Sequence, residues 1–318
     1  MSHRFHRLHG LLAILVIVFV SALHPSRSII ANSDSKSKVE NRKSKIQRIV
    51  SLSPNLTEII FALGLGDRVV AVSNNCDWPA EVNAKPKVGT FWQPNAETII
   101  AARPDLVVCE TFPQQKETAE TLKRAGLNVL SLQVESIDEL FSAIFQIGVA
   151  ADCNTAAEQL TANVEEELGR IKSMSSTSEK VKVLWVIQTE PVRVAGVNTF
   201  INEIIKLAGG QNAIAPTVDQ YPSIGTEEII SCGAEVIIQS AMGSENIAEQ
   251  QKAAEEFWGK FANLPAVKNK RIYVIDSDAV LRLGPRLPEG VKAVTRLLHP
   301  ELFVRLQKKN NKTESSDG

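Results

Sequence analysis

Histidine is nearly absent from the body of this chain. His3, His6, His9 and His24 crowd the amino-terminal end, and only His299 lies beyond them. That scarcity works against Ser-His-Asp hydrolysis, histidine-rich zinc sites and HExxH-type helices, all of which need imidazole. Cysteine is sparse too. Cys76, Cys109, Cys153 and Cys232 include no CxxC spacing, which argues against a zinc or dithiol redox site. Buried free thiols are expected, with one disulfide left open and its pairing not deducible. The net charge of −1 over 318 residues gives no basic excess for nucleic acid. Aromatic residues make up only 5%, so any cluster of them is informative. No general base, nucleophile or metal cluster stands out, which leans towards binding and away from catalysis.

Long hydrophobic runs are also lacking. The unbroken apolar run Leu11–Val20 is shorter than the roughly 20 residues that span a bilayer. It follows Arg4 and Arg7 and precedes small residues at Ser21-Ala22 and Ser28–Ala31, the pattern of an export signal over residues 1–31. A retained membrane anchor is the other reading. No cysteine follows the run, so an acyl lipoprotein anchor is not expected. Removing the segment takes away Arg4, Arg7 and Arg27 and no acid, leaving a more acidic remainder. Residues 32–45 are polar and Ser/Lys-rich, a flexible leader; residues 308–318 form a polar tail.

What is present is a 44% apolar chain patterned as alternating strands and helices. Ile46–Leu52 reads as a strand, and Ser53-Pro54 opens a helix with a favoured cap and first residue. Glu58 suits the dipole of that helix, and Gly64 ends it. Further strands are expected at Arg68–Val72, Leu106–Val108 and Leu127–Leu132, with helices led by Asn95 and spanning about 115–125. From Ile137 to about Met174 there is no proline, and apolar residues keep helical spacing. This predicts one long helix, with a break near Asp152–Thr155 open. Alternation then resumes, with strands at Val181–Ile187, Glu235–Gln239 and Arg271–Ile275, and helices at Phe200–Ala208, after Thr226 and at 247–258. The fold class is therefore α/β: two Rossmann-like lobes with parallel sheets, residues 46–136 and 180–307, joined by a linker helix over 137–174. ETIIAARPDLVV from Glu97 aligns without gaps on EEIISCGAEVII from Glu227, so the second half echoes the first, unless two generic helix-strand units match by chance.

The blocks RIVSLSPNLTEIIFALGLGDRVVAVS, a DWP loop, TFWQPNAETIIAARPDLVV and a later GPR resemble the substrate-binding proteins of ABC importers for iron-siderophore complexes and cobalamin. The likeness spans most of residues 46–300 and is nearest the cobalamin-binding subgroup. It implies a bilobal, monomeric, periplasmic binding protein that is not an enzyme, with ligand held between lobes. The partners would be an importer's permease and ATPase, with no nucleic acid. No protein-bound cofactor is implied; the ligand would be cobalamin or another metal chelate, with a ferric siderophore or haem as the alternative. A stiff helical linker implies little closure.

Three constellations carry the expected site. Trp78, Phe91, Trp92 and Tyr221 lie on loops that follow strands, where parallel α/β folds bind ligands. Their faces suit a large flat ring, or they plug their loops onto the core. Asn75 stands where the cobalamin subgroup has a first-loop tyrosine. Asp278, Arg282 and Arg286, with Arg193, could pair with polar ligand groups; a structural Asp–Arg pair is the other reading. Asp77 reads as a loop cap. Glu97 and Glu227, each in the first turn of a helix, fit dipole stabilisation of about 0.3–1 kcal/mol. The resemblance implies that they dock into arginine pockets of the permease, with Glu228 as the alternate. A cleft enzyme would need a catalytic set that Asp77, Glu190 and Asp278 do not form. A bare-metal binder would need more ligands than His299 and scattered carboxylates.

Overall fold

The structure, a computed structural model, describes residues 46–241, 246–276 and 278–304. The expected signal peptide (1–31), leader (32–45) and polar tail (308–318) lie outside the described residues.

The first lobe opens with β1 (Ile49–Ser51), α1 (Pro54–Ala62) and β2 (Val69–Val72). Ser53 is extended ahead of α1 and Pro54 sits at its first position, as the sequence indicated, although the Ser53 side chain makes no cap bond. The helix stops where Gly64 takes φ +74°, a conformation only glycine enters cheaply. Then come α2 (Ala96–Ala101), β3 (Leu106–Glu110), α3 (Pro113–Arg124) and β4 (Val129–Leu132). The strands pair in parallel in the order β2-β1-β3-β4. The inner strands β1 and β3 are wholly buried, because helices cover both sides of a parallel sheet, while the edge strand β4 is mostly half-buried.

The linker is helical in two segments, α4 (Ile137–Ala150) and α5 (Asn154–Ser175). The expected single helix is interrupted where Asp152 adopts φ +57°, and the amide of Cys153 bonds back to the carbonyl of Gly148 at 2.8 Å. At this bend Gly148 lies so close to Ala157 that an added Cβ would sit 2.6 Å from the alanine methyl. Ser136 caps α4, and its oxygen accepts from the amide of Glu139 at 3.2 Å.

The second lobe contains β5 (Val181–Thr189), β6 (Val192–Val194), α6 (Phe200–Leu207), β7 (Gly210–Asn212), α7 (Thr226–Ser231), β8 (Val236–Ser240), α8 (Ile247–Gly259), α9 (Pro265–Lys268), β9 (Ile272–Ile275), α10 (Asp278–Leu281) and α11 (Leu287–Leu298). Its parallel strands β7, β5, β8 and β9 repeat the order of the first sheet, and β6 adds an antiparallel edge on β5. The cap of α7 is Gly225, not Thr226, which is the first helical residue; the carboxylate of Glu228 accepts from the Gly225 amide at 3.0 Å.

The repeat holds at atomic level. Asp105 Oδ2 accepts from the amide of Arg48 at 2.9 Å, and Glu235 Oε2 accepts from the amide of Lys182 at 2.8 Å. Each acid directly precedes a strand, β3 or β8, and clips it to the first strand of its lobe, β1 or β5. One continuous apolar cluster runs from α1 through α4 and α5 to α6 and α11, so the lobes share a core at the linker side.

Candidate functional site

Parallel strands leave their carboxyl ends at one edge of each sheet, and the loops that follow meet there. Between the lobes they enclose a cavity of about 760 Å³. Phe91, Trp92, Phe112, Phe200 and Tyr221 supply aromatic surface, and Asn55, Asn74, Asn75 and Gln220 supply amides. Asp77, Glu110, Glu135 and Asp278 supply carboxyls, and Arg282 is the one cation among the described lining residues.

The aromatic wall of the first lobe is built by a tight loop. Gly89 (φ +99°) makes it: an added Cβ would lie 2.6 Å from the carbonyl of Gln93 and 2.8 Å from the amide of Asn95, so no other residue fits without moving the loop. The Asn75 side chain accepts from the Phe91 amide at 2.7 Å, and Gln115 donates to the Phe91 carbonyl at 3.0 Å. Asn75 therefore braces the aromatic loop while lining the cavity. Phe91 meets Trp92 edge-on at 4.7 Å between centroids and Phe112 at 5.5 Å. Trp92 remains 56% exposed, a large apolar surface with room for a partner. Tyr221 enters from the second lobe.

Of the expected site residues, Phe91, Trp92, Tyr221, Asp278 and Arg282 line the cavity. Trp78, Arg193 and Arg286 do not. Arg286 is spent on Glu58: Nε donates at 3.0 Å and Nη2 at 2.7 Å to a carboxylate that is only 4% exposed. Its guanidinium also lies 4.4 Å from the ring centroid of Trp78, so that tryptophan stacks on the ion pair outside the lining. Arg193 bonds to the carbonyl of Tyr221 at 3.2 Å and supports the tyrosine loop from behind. Glu58 is thus no solvent-facing dipole partner. It anchors the second lobe to the first helix of the first lobe.

Asp77 is likewise more than a loop cap. Both its oxygens accept from Arg282 across the cleft, at 2.5 and 3.0 Å. Arg282 also meets Asp278 at 3.0 Å and Glu58 at 3.6 Å. Its hydrogen bond holds the Asp77 carboxyl below the usual range. Burial disfavours the charge on Arg282, but Asp77, Asp278 and Glu58 outweigh it and raise the guanidinium above its ordinary value. Burial raises Asp278, with Arg282 opposing. The cavity's one arginine is already surrounded by acids.

Sequence reasoning missed Glu110. It ends β3, is 6% exposed, and burial pushes it up to about 7, with Asn55 and Ser53 opposing and the Glu135 charge adding to the rise. A charged residue closing the apolar strand LVVCE at its carboxyl end was the signal available.

Outside the cavity, Glu97 and Glu227 are exposed at matching positions of α2 and α7. One turn on, Ile100 and Ile230 are exposed as well, 40% and 54%. The four cysteines are free thiols. Cys76 sits 3.1 Å from both the Thr57 and the Ser73 hydroxyl. Burial pushes it and Cys109 up, away from reactive thiolate. Among the described residues no His, Cys, Asp and Glu group is placed to hold a metal ion, and no helix is long and apolar enough to cross a membrane.

Comparison with known proteins places these features in a context. The family described as periplasmic binding protein matches residues 49–279. An ABC transporter substrate-binding lipoprotein of Bacillus subtilis is 32% identical over 268 residues, 82% of each chain. A vitamin B12-binding protein of Vibrio parahaemolyticus is 29% identical over 242 residues, covering 76% of this chain and 85% of that one. Among solved structures, a possible iron-binding, periplasmic solute-binding protein of Staphylococcus epidermidis superposes with a TM-score of 0.72 at 28% identity, over 80% of this chain and all of the other.

Proposed function

The chain belongs to the periplasmic binding protein family, and from that premise we propose that it captures a corrinoid, a cobalamin-like chelate, between its lobes. It serves an ABC importer, acting outside the cytoplasmic membrane on the permease and its ATPase. Binding proteins of this family carry cargo and do not transform it. The finer reading places a monomer in the periplasm.

The observation that carries the choice of ligand is the charge of the lining. Aromatic rings from both lobes suit a broad flat ring. Four carboxyls face one guanidinium that three acids already hold. Haem brings two propionates, and many ferric siderophores are anionic. Either would place charge against carboxylates with no unpaired cation among the described lining residues, and like charges in a half-dry cleft repel. A corrin rim of amides meets the opposite conditions, because amide N–H groups can donate to Asp and Glu and amide oxygens can accept from Asn and Gln. The vitamin B12-binding relative supports the same ligand.

Titration of intrinsic tryptophan fluorescence with cobalamin, haemin and a ferric siderophore tests it. Cobalamin is expected to quench Trp92, and Trp92→Ala and Tyr221→Ala are each expected to weaken its binding by about tenfold or more, the value of a lost aromatic contact and its buried area. Quenching by haemin or the siderophore with none by cobalamin overturns the corrinoid reading in favour of the iron-chelate alternative.

For docking, Glu97 and Glu227 are the proposed contacts. Neither carboxylate has an ion-pair or hydrogen-bond partner among the described residues. Each stands with an exposed isoleucine on the same face, a charged tip beside an apolar patch that a permease surface could cover.

A further inference from the structure

The cavity holds one buried carboxyl that no protein cation neutralises. Glu110 closes β3, and its amide is fixed by the Gln115 side chain at 2.8 Å. Gln115 is itself fully buried and also reaches the Leu52 carbonyl and Phe91 carbonyl, so the strand end cannot swing to bring Glu110 to solvent. The side chain faces hydroxyl and amide groups of Ser53 and Asn55 at the start of α1. The titratable groups around it are Glu135 after β4 and the neighbouring thiol of Cys109 on β3. Elsewhere on the lining stand Asp77, Asp278, Tyr221 and the acid-bound Arg282. No lysine or arginine among the described residues lies within ion-pair distance of Glu110.

A buried carboxylate that stays in a binding wall without a cation is costly unless something else satisfies it. Asn55 and Ser53 give its carboxyl neutral hydrogen-bond partners but no counter-charge, so a charged acid in this wall is left only partly satisfied by the protein. We propose that Glu110 is a specificity-determining residue of the cavity, its carboxylate accepting a hydrogen bond from a primary amide or another N–H donor on the captured ligand. The inference rests on the corrinoid reading and adds to it the ligand feature that is read. It has a consequence in protons. Burial holds the free carboxyl at about 7, so near neutrality a large fraction of it carries a proton. An N–H donor favours the ionised form, so the proton leaves to solvent as the ligand arrives. Affinity then rises with pH up to about 7 and levels off above it.

The experiment is cobalamin titration of the full chain from pH 5.5 to 8.5, with calorimetry at pH 6 in two buffers of different ionisation enthalpy. The wild type is expected to bind about tenfold more weakly per pH unit below the midpoint, and to release close to one proton at pH 6. Glu110→Gln keeps an acceptor oxygen but cannot ionise; it is expected to bind with an affinity flat in pH and with no proton release. Glu135→Gln removes the like charge and is expected to shift the midpoint lower while keeping the slope, which a purely structural role for Glu110 would not produce. Cobalamin binding that is flat in pH, with no proton released, overturns the assignment of Glu110 and leaves the corrinoid reading standing. No binding of cobalamin at any pH overturns both.

Discussion

Replacing Arg286 with Met is expected to cost most of the stability that one side chain can carry here. The substitution leaves the Glu58 carboxylate, 4% exposed, without its bidentate partner. Removing one partner of a buried pair typically costs about 3–5 kcal/mol, because the remaining charge is left desolvated. The stacking of the guanidinium on Trp78 at 4.4 Å adds about 0.5–1 kcal/mol at this half-exposed ring. Against that, Arg282 stands 3.6 Å from Glu58 and takes up part of the loss. The net expectation is about 3–4 kcal/mol, a large share of the roughly 5–15 kcal/mol that holds a domain folded. Urea denaturation followed by far-ultraviolet circular dichroism measures it as a lower midpoint. The double variant Glu58→Leu/Arg286→Met removes both charges and is expected to regain most of the loss, since an apolar pair of similar volume replaces a buried ion pair at little cost. A loss below about 1 kcal/mol in the single variant would refute the reasoning, as it would show that Glu58 is not held by Arg286.

Two further outcomes follow from the geometry. Reversing Glu97 and Glu227 together to Lys is expected to leave ligand affinity intact, because both lie outside the cavity, and to abolish uptake by the importer; normal uptake by cells carrying the double variant would remove the docking assignment. Gly148→Ala should gain up to about 1 kcal/mol from helix propensity, yet its Cβ would fall 2.6 Å from Ala157. Overpacking costs about 1–3 kcal/mol, so the variant is expected to be less stable in urea, and Ala157→Gly in the same chain to restore it.

The strands and helices were legible because their signals are local. Proline after Ser53, Asn95 ahead of α2 and Gly64 after α1 mark boundaries within a few residues of themselves. The three-residue strands β6 and β7 were not legible, because such short segments form only against β5. The bend between α4 and α5 was readable only as an open option, since no proline marks it and its glycine, Gly148, lies inside α4 while the left-handed turn falls on Asp152. The aromatic part of the site was visible through rarity, and the glutamate pair through the repeat. The ion pairs were not. Glu58 and Arg286 are 228 positions apart; Glu58 looked like an ordinary charge on its helix and Arg286 like a ligand contact on its loop. Arg286 and Trp78 were expected in the cavity for the same reason: sequence shows that a residue lies near the cleft, but not that a neighbour from the other lobe has taken it.

The same ties bear on how ligand charge and lobe closure are connected. Arg282 lines the cavity and at the same time holds Asp77 of the opposite lobe. A ligand carboxylate seated here would compete with Asp77 for the guanidinium, and the closer it came, the weaker the tie between the lobes would be. An amide-rimmed ligand makes no such demand. It can donate to Asp278 or Glu110 and leave the Arg282–Asp77 pair in place, so that binding and a closed cleft favour each other. Glu203 reinforces the frame from another side, since its carboxylate accepts from the amide of Ile137 at 3.0 Å and so ties α6 to the first turn of the linker. The Glu58–Arg286 and Asp77–Arg282 pairs both cross between the lobes, so a ligand anion drawn to Arg282 is expected to weaken one of these two ties, whereas an amide rim leaves both in place.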